Sequence, residues 1–441
     1  MTDGSQPAQT RPAIKRRERD AILQSLTAGV VPRIGLQHIQ VGRKLEVEAV
    51  LHDLNAVQDG SSAFRLVIGP FGSGKTFFCH LVKTLAFEHR FVVATADLTP
   101  ERRLSGTGGV ARGLYQELMR TVATKASPEG GALGAIIERW LSEQHLTEAA
   151  SEEIIARLRP LHDLVGGFDF ATVVAAYSAA YVAGNDDRRS AALRWLRGEY
   201  NTKTEAREAL QIRGIIDDAT WYDHIKLLAA FTRMAGYAGL LIAFDEAINL
   251  YKLRHPDARN RNYEQVLRIL NDCLQGGASG LMVLIGGTPD SLRDRRRGLY
   301  SYDALRTRLA DNGFATDAHR DLSGPVLELP SLTPEDLVIL LRNIRRVHAG
   351  DRPETVVLPD EGITAFMNHA AKTLGDAFFR TPRDTVVQFV KLLALLEQHA
   401  NMDWREPLQG AVQAAASATQ VSVAQAGVDE RPEDDLASFK L

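Results

Sequence analysis

The sequence predicts an α/β fold, a parallel sheet with helices on both faces, interrupted by a helical insertion and followed by a helical lid. Three observations predict it. An apolar run enters a glycine-rich loop, a helical stretch follows, and a second apolar run comes next. Strand, loop, helix and strand make a βαβ unit, and such crossovers join parallel strands. Five short runs, Phe64–Gly69, Phe91–Asp97, Leu240–Phe244, Leu281–Gly287 and Val326–Leu329, are apolar almost throughout, as strands buried on both faces are. Beyond Ser331 the periodicity is helical for good.

The elements follow in order. Residues 1–11 are polar and read as disordered. Residues 12–58 read as helical, with a break at Gly29–Gly35 that includes Pro32. The first strand, Phe64–Gly69, leads into the loop, and Phe77–Glu88 reads as a helix. Residues 127–226 are rich in Ala, Glu, Arg and Leu with few strand signals, so they read as a helical insertion in a core spanning 12–330. That insertion is either a partner-binding element or a scaffold packed on the core. Thr333, with Pro334 behind it and Asp336 at the third helical position, opens the lid, residues 331–400. From 401 the chain reads as a flexible tail, acidic at Asp429, Glu430, Glu433, Asp434 and Asp435.

Composition bounds the function. Of 441 residues, 45% are hydrophobic and 24% charged, which suits an ordinary globular protein. The formal net charge of -3 gives no global field for nucleic acid, so any such contact must be local. The two cysteines, Cys79 and Cys273, form no zinc-ligand spacing and read as small buried hydrophobes. No signal peptide or bilayer-spanning run is visible, and the expectation is a cytoplasmic protein without membrane contact.

Gly69-Pro70-Phe71-Gly72-Ser73-Gly74-Lys75-Thr76 fits the phosphate-binding P-loop pattern, and it lies where that pattern must lie, between a strand and a helix. Glycines let backbone N–H groups converge on phosphate oxygens, and the helix N-terminus adds its dipole. Phe77 follows directly. Lys75 is expected to meet the β- and γ-phosphates of ATP, and Thr76 to hold Mg²⁺. Leu240–Phe244 ends in Asp245 and Glu246. Asp245 is expected to hold the Mg²⁺ shell and Glu246 to act as general base, so both acids together point to hydrolysis. The glycines at 106–109 and 286–287 lack dinucleotide-binding spacing.

Several segments together carry a resemblance: Ala28-Gly-Val-Val-Pro32, His38–Arg43, Gly69–Thr76, Thr99–Tyr115, Phe244-Asp245-Glu246, Gly286–Asp290 and Thr381-Pro382-Arg383. On these the chain resembles the P-loop ATP-binding proteins of BREX-type phage-defence systems, close to BrxD and related to BrxC. More distantly it is similar to the origin-recognition/Cdc6-like branch of AAA+ ATPases. The resemblance covers roughly residues 12–395.

The resemblance implies an AAA+-like P-loop core with ATP between core and lid, and a role in antiviral defence beside a helicase or another defence-operon protein. It implies Thr288 as a phosphate sensor, and an arginine finger at Arg308, with Arg306 as a salt-bridge residue. It further implies Arg383 as a second sensor, and Val31 and Pro32 against the adenine. Gly42-Arg43 resembles the turn before the first core helix. A finger acting in trans implies a homo-oligomer. For double-stranded DNA the candidate runs are Lys15–Arg19, Lys252–Arg261 and Arg293–Arg297, although such a run taken alone is more often a solvated face. Two functions remain open: an ATPase working with DNA or a DNA-processing partner, and a slow nucleotide-dependent assembly switch. A signalling ATPase fits less well, because no effector module or repeat array accompanies the motifs.

Overall fold

The computed structural model describes residues 13–146, 149–316, 319–374, 382–399 and 401–408. Residues 1–12, Thr381 and residues 409–441, which carry the expected disordered start, a cap and most of the expected tail, lie outside them. The chain forms two compact units. One lies within Arg43–Pro330; the other combines the described residues before Arg43 with those after Pro330.

The larger unit holds five strands: β1 (Ala63–Ile68), β2 (Val92–Asp97), β3 (Leu240–Asp245), β4 (Leu281–Gly287) and β5 (Val326–Glu328). They form one parallel sheet in the order β2-β3-β4-β1-β5. Alternate side chains of each strand serve opposite faces. Leu66, Ile68, Ile242, Phe244, Val283 and Ile285 belong to one core. Their neighbours Val67, Leu241, Ala243, Met282 and Leu284 belong to a second, with Val50, Leu54 and Val57 of the helix Lys44–Gln58 and Phe78 and Val82 of the helix Lys75–Glu88. Both faces are thus covered, and this is why the strands read as continuous apolar runs.

The segment between 127 and 226 carries helices among its described residues and no strand. It packs on the sheet. Ile137, Trp140, Phe170, Val174 and Trp195 share the core of Leu66 and Phe244. The Phe231 ring stands 5.6 Å from Trp140 and 5.1 Å from Phe170. These aromatics bury large apolar areas and hold the insertion to the strands.

The smaller unit is helical, with Arg16–Thr27, Pro334–Ala349, Asp360–Leu374 and Pro382–Gln398. Thr333 caps as expected, accepting the Asp336 N–H at 3.1 Å. The helix Arg16–Thr27 was expected in the core, and it sits here instead. Its Ile22 is buried, and Arg19 donates to His348 O at 2.8 Å and pairs with Glu397 at 3.4 Å. Arg19 is therefore spent inside the unit, while Lys15, Arg16 and Arg17 stay exposed. Residues 405–408, expected in the tail, are helical. Among the described residues, no helix is long and apolar enough to cross a membrane.

Candidate functional site

The loop Gly69–Thr76 leaves the C-terminal end of β1, and Lys75 is the first residue of the helix it opens. Gly72 and Gly74 take φ of 81° and 86°, the left-handed region that glycine enters without a Cβ penalty. Gly69 is required for space: a Cβ there would stand 2.3 Å from Ser73 Oγ and 3.0 Å from Leu329 O. At Gly74 a Cβ would meet nothing within 4 Å, so the space beside the start of the helix is open.

The residues fit a bound phosphate chain. Ser73 Oγ is buried without a hydrogen-bond partner. Lys75 Nζ donates to the carbonyls of Gly69 and Pro70, each at 2.9 Å, and lies 5.5 Å from the Phe71 ring. Burial lowers the Lys75 pKa, and Asp245 and Glu246 oppose that shift. Phe71 is exposed.

Thr76 Oγ1 donates to Asp245 Oδ2 at 3.1 Å. The two expected Mg²⁺ residues therefore meet, although 169 positions separate them. Mg²⁺ is commonly held by one or two protein oxygens beside phosphates, and a hydroxyl with a carboxylate is such a set. Asp245 Oδ1 accepts the Glu246 N–H at 2.8 Å. Gly286 leaves room for it, since a Cβ there would stand 2.7 Å from that oxygen. Glu246 is exposed and takes φ 58°, a strained value for a side chain of its size.

Other expected residues have other surroundings. Thr288 is buried and caps the helix Pro289–Arg293, its hydroxyl accepting the Ser291 N–H at 3.3 Å. Arg306 pairs with Asp303 at 3.0 Å, whereas Arg308 is exposed and donates to Ala304 O of its own helix at 3.0 Å. In the smaller unit Val31 is half-buried, Pro32 is buried and Arg383 is exposed. A Cβ on Gly29 would lie 3.7 Å from the Arg383 stem, so the Gly29–Pro32 segment runs beside the start of the helix Pro382–Gln398.

Two of the basic runs converge. Arg297 Nη2 donates to Tyr251 O at 3.3 Å and Leu253 O at 3.2 Å. Lys252, Arg254, Arg295 and Arg296 stand exposed around this junction. Arg259 is buried and Arg293 pairs with Glu328, so neither belongs to the free face.

Sequence reasoning missed Asp97 and the part played by Arg43. Asp97 ends β2 in register with Asp245, and burial and the Asp245 charge raise its pKa. The signal was present, an apolar strand ending in an acid, as at Asp245. Arg43 donates to Ser73 O at 3.0 Å, and no spacing rule reports a brace from 30 residues away.

A family model for the BREX system ATP-binding proteins BrxC/D matches residues 14–411. No curated protein matches the chain. The chain belongs to the BREX system ATP-binding protein family.

Proposed function

We propose that the chain is a Mg²⁺-dependent ATPase of the AAA+ type that works with DNA or a DNA-processing partner, such as a helicase, in antiphage defence. The observation that carries this reading is the meeting of Thr76 and Asp245 at 3.1 Å with Glu246 next in the chain. A hydroxyl and a carboxylate thus meet, with a second, exposed acid next in the chain.

Lys75 would hold the β- and γ-phosphates, and Thr76 and Asp245 would hold Mg²⁺. The ion supplies charge neutralisation at the phosphate oxygens when bound. Glu246 orients water and takes its proton, a role that contributes about 10²–10⁴-fold. Thr288 senses the phosphates. Arg308 serves a neighbouring subunit in a homo-oligomer; its exposure and Arg306's commitment to Asp303 support that choice. Lys252, Arg254, Arg295 and Arg296 form the face offered to duplex phosphates.

A slow nucleotide-dependent assembly switch is the second reading. The observation in its favour is that Lys75 donates to two backbone carbonyls and must release them to act.

The test is the ATPase rate per subunit across protein concentration, with and without double-stranded DNA, with Glu246→Gln as control. A rate that rises with concentration and with DNA supports the first reading. A low, flat rate supports the switch. Wild-type turnover in Glu246→Gln overturns the assignment of the base.

A further inference from the structure

The chain passes between its two units twice, at Gly42–Arg43 and at Pro330–Ser331. Arg43 stands at the first crossing, and its guanidinium reaches the second. Nη2 donates to Pro330 O at 2.5 Å and to Ser73 O at 3.0 Å. One nitrogen therefore ties the phosphate loop to both crossings.

Its surroundings hold it there. The Arg43 side chain is 10% exposed and Glu46 4%, and their charges lie 3.9 Å apart. Glu46 also accepts from Arg320 at 2.8 Å, and Arg320 donates to Glu328 O at 2.8 Å. A carboxylate this buried depends on its cations, so Arg43 cannot swing into solvent without leaving Glu46 undercompensated. The backbone at Arg43 has φ 63°, a conformation that favours glycine, yet the position holds the longest basic side chain. Ser73 is also the loop residue with the orphaned buried hydroxyl. Any shift of the Ser73 carbonyl bears directly on the nitrogen that Pro330 shares.

We propose that Arg43 is a positioning residue that couples nucleotide occupancy of the phosphate loop to both crossings, altering the freedom of the chain at 42–43 and 330–331. This rests on the nucleotide site proposed above.

The experiment is hydrogen exchange of the full chain in the Glu246→Gln background, with and without Mg-ATP, read in peptides covering 36–46 and 326–336. ATP binding is measured separately by titration. The expected result is that ATP changes exchange in both peptides together, by about tenfold, the scale of one charge-assisted hydrogen bond made or lost. Arg43→Gly, which relieves the backbone, is expected to bind ATP within about threefold of its parent, less than one such bond is worth, and to lose both responses. Arg43→Lys keeps a cation for Glu46 but not the planar fork. It is expected to restore the melting temperature and not the full response; a merely structural brace would restore both. The proposal is overturned if ATP binds and neither crossing responds, or if Arg43→Gly or Arg43→Lys keeps both responses in full. Failure of the parent to bind ATP would instead sink the nucleotide site, and the coupling with it.

Discussion

Two glycine-rich loops in this protein open helices and look alike in sequence and backbone. Gly69–Gly74 precedes the helix Lys75–Glu88, and Gly106–Gly109 precedes the helix Val110–Thr121. Each ends on a left-handed glycine, Gly74 at φ 86° and Gly109 at φ 89°. They differ in what meets the amides. Asp218 fills the second site, accepting the N–H of Gly109 at 2.7 Å and of Arg112 at 2.8 Å. Among the described residues, no side chain accepts from the amides that open the first helix. Both helix ends favour negative charge. One has its anion built into the fold; at the other the nucleotide proposed above would supply it.

The comparison predicts opposite consequences at the two loops. The largest effect is expected beside the first. Glu246→Gln should slow phosphate release by about 10²–10⁴-fold while ATP affinity changes little. Lys75→Ala should weaken ATP binding by roughly ten- to a hundredfold, the scale of lost hydrogen bonds to a charged group, as a titration would read. Its effect on the melting temperature without nucleotide should be small, because among the described residues Lys75 bonds two carbonyls and faces one ring, all of its own loop.

At the second loop the order reverses. Asp218→Ala removes two charge-assisted bonds from a helix start and should cost about 2 kcal/mol in denaturant unfolding. Its ATP affinity should match the wild type. The smallest effect is expected from Gly74→Ala. The added Cβ meets nothing, so only the left-handed backbone is penalised, by about 1 kcal/mol in the same unfolding assay. A much larger loss would mean that the space beside Gly74 is not open.

Much of this was legible in the sequence, for a physical reason. Strands buried on both faces are apolar along most of their length, and the five runs match β1 to β5 nearly end to end. The phosphate loop and the Asp245-Glu246 pair are local patterns, because the chemistry needs those residue types at fixed offsets from a strand end. What escaped was non-local. Asp218 fills the Gly109 amides from 109 positions away, and Arg43 reaches Pro330 across 287. The helix Arg16–Thr27 reads the same whichever unit buries its Ile22. Thr288 shows the same limit at short range: a polar residue after a strand and before proline suits a sensor and a helix cap alike, and here its hydroxyl caps.

The most direct test of the central claim is titration of Mg-ATP into the wild-type chain, Lys75→Ala and Asp218→Ala, with melting temperatures recorded for each. Lys75→Ala is expected to lose affinity and keep its stability, while Asp218→Ala is expected to lose stability and keep its affinity. Equal affinity in the wild type and Lys75→Ala would contradict it, as would loss of binding in a folded Asp218→Ala.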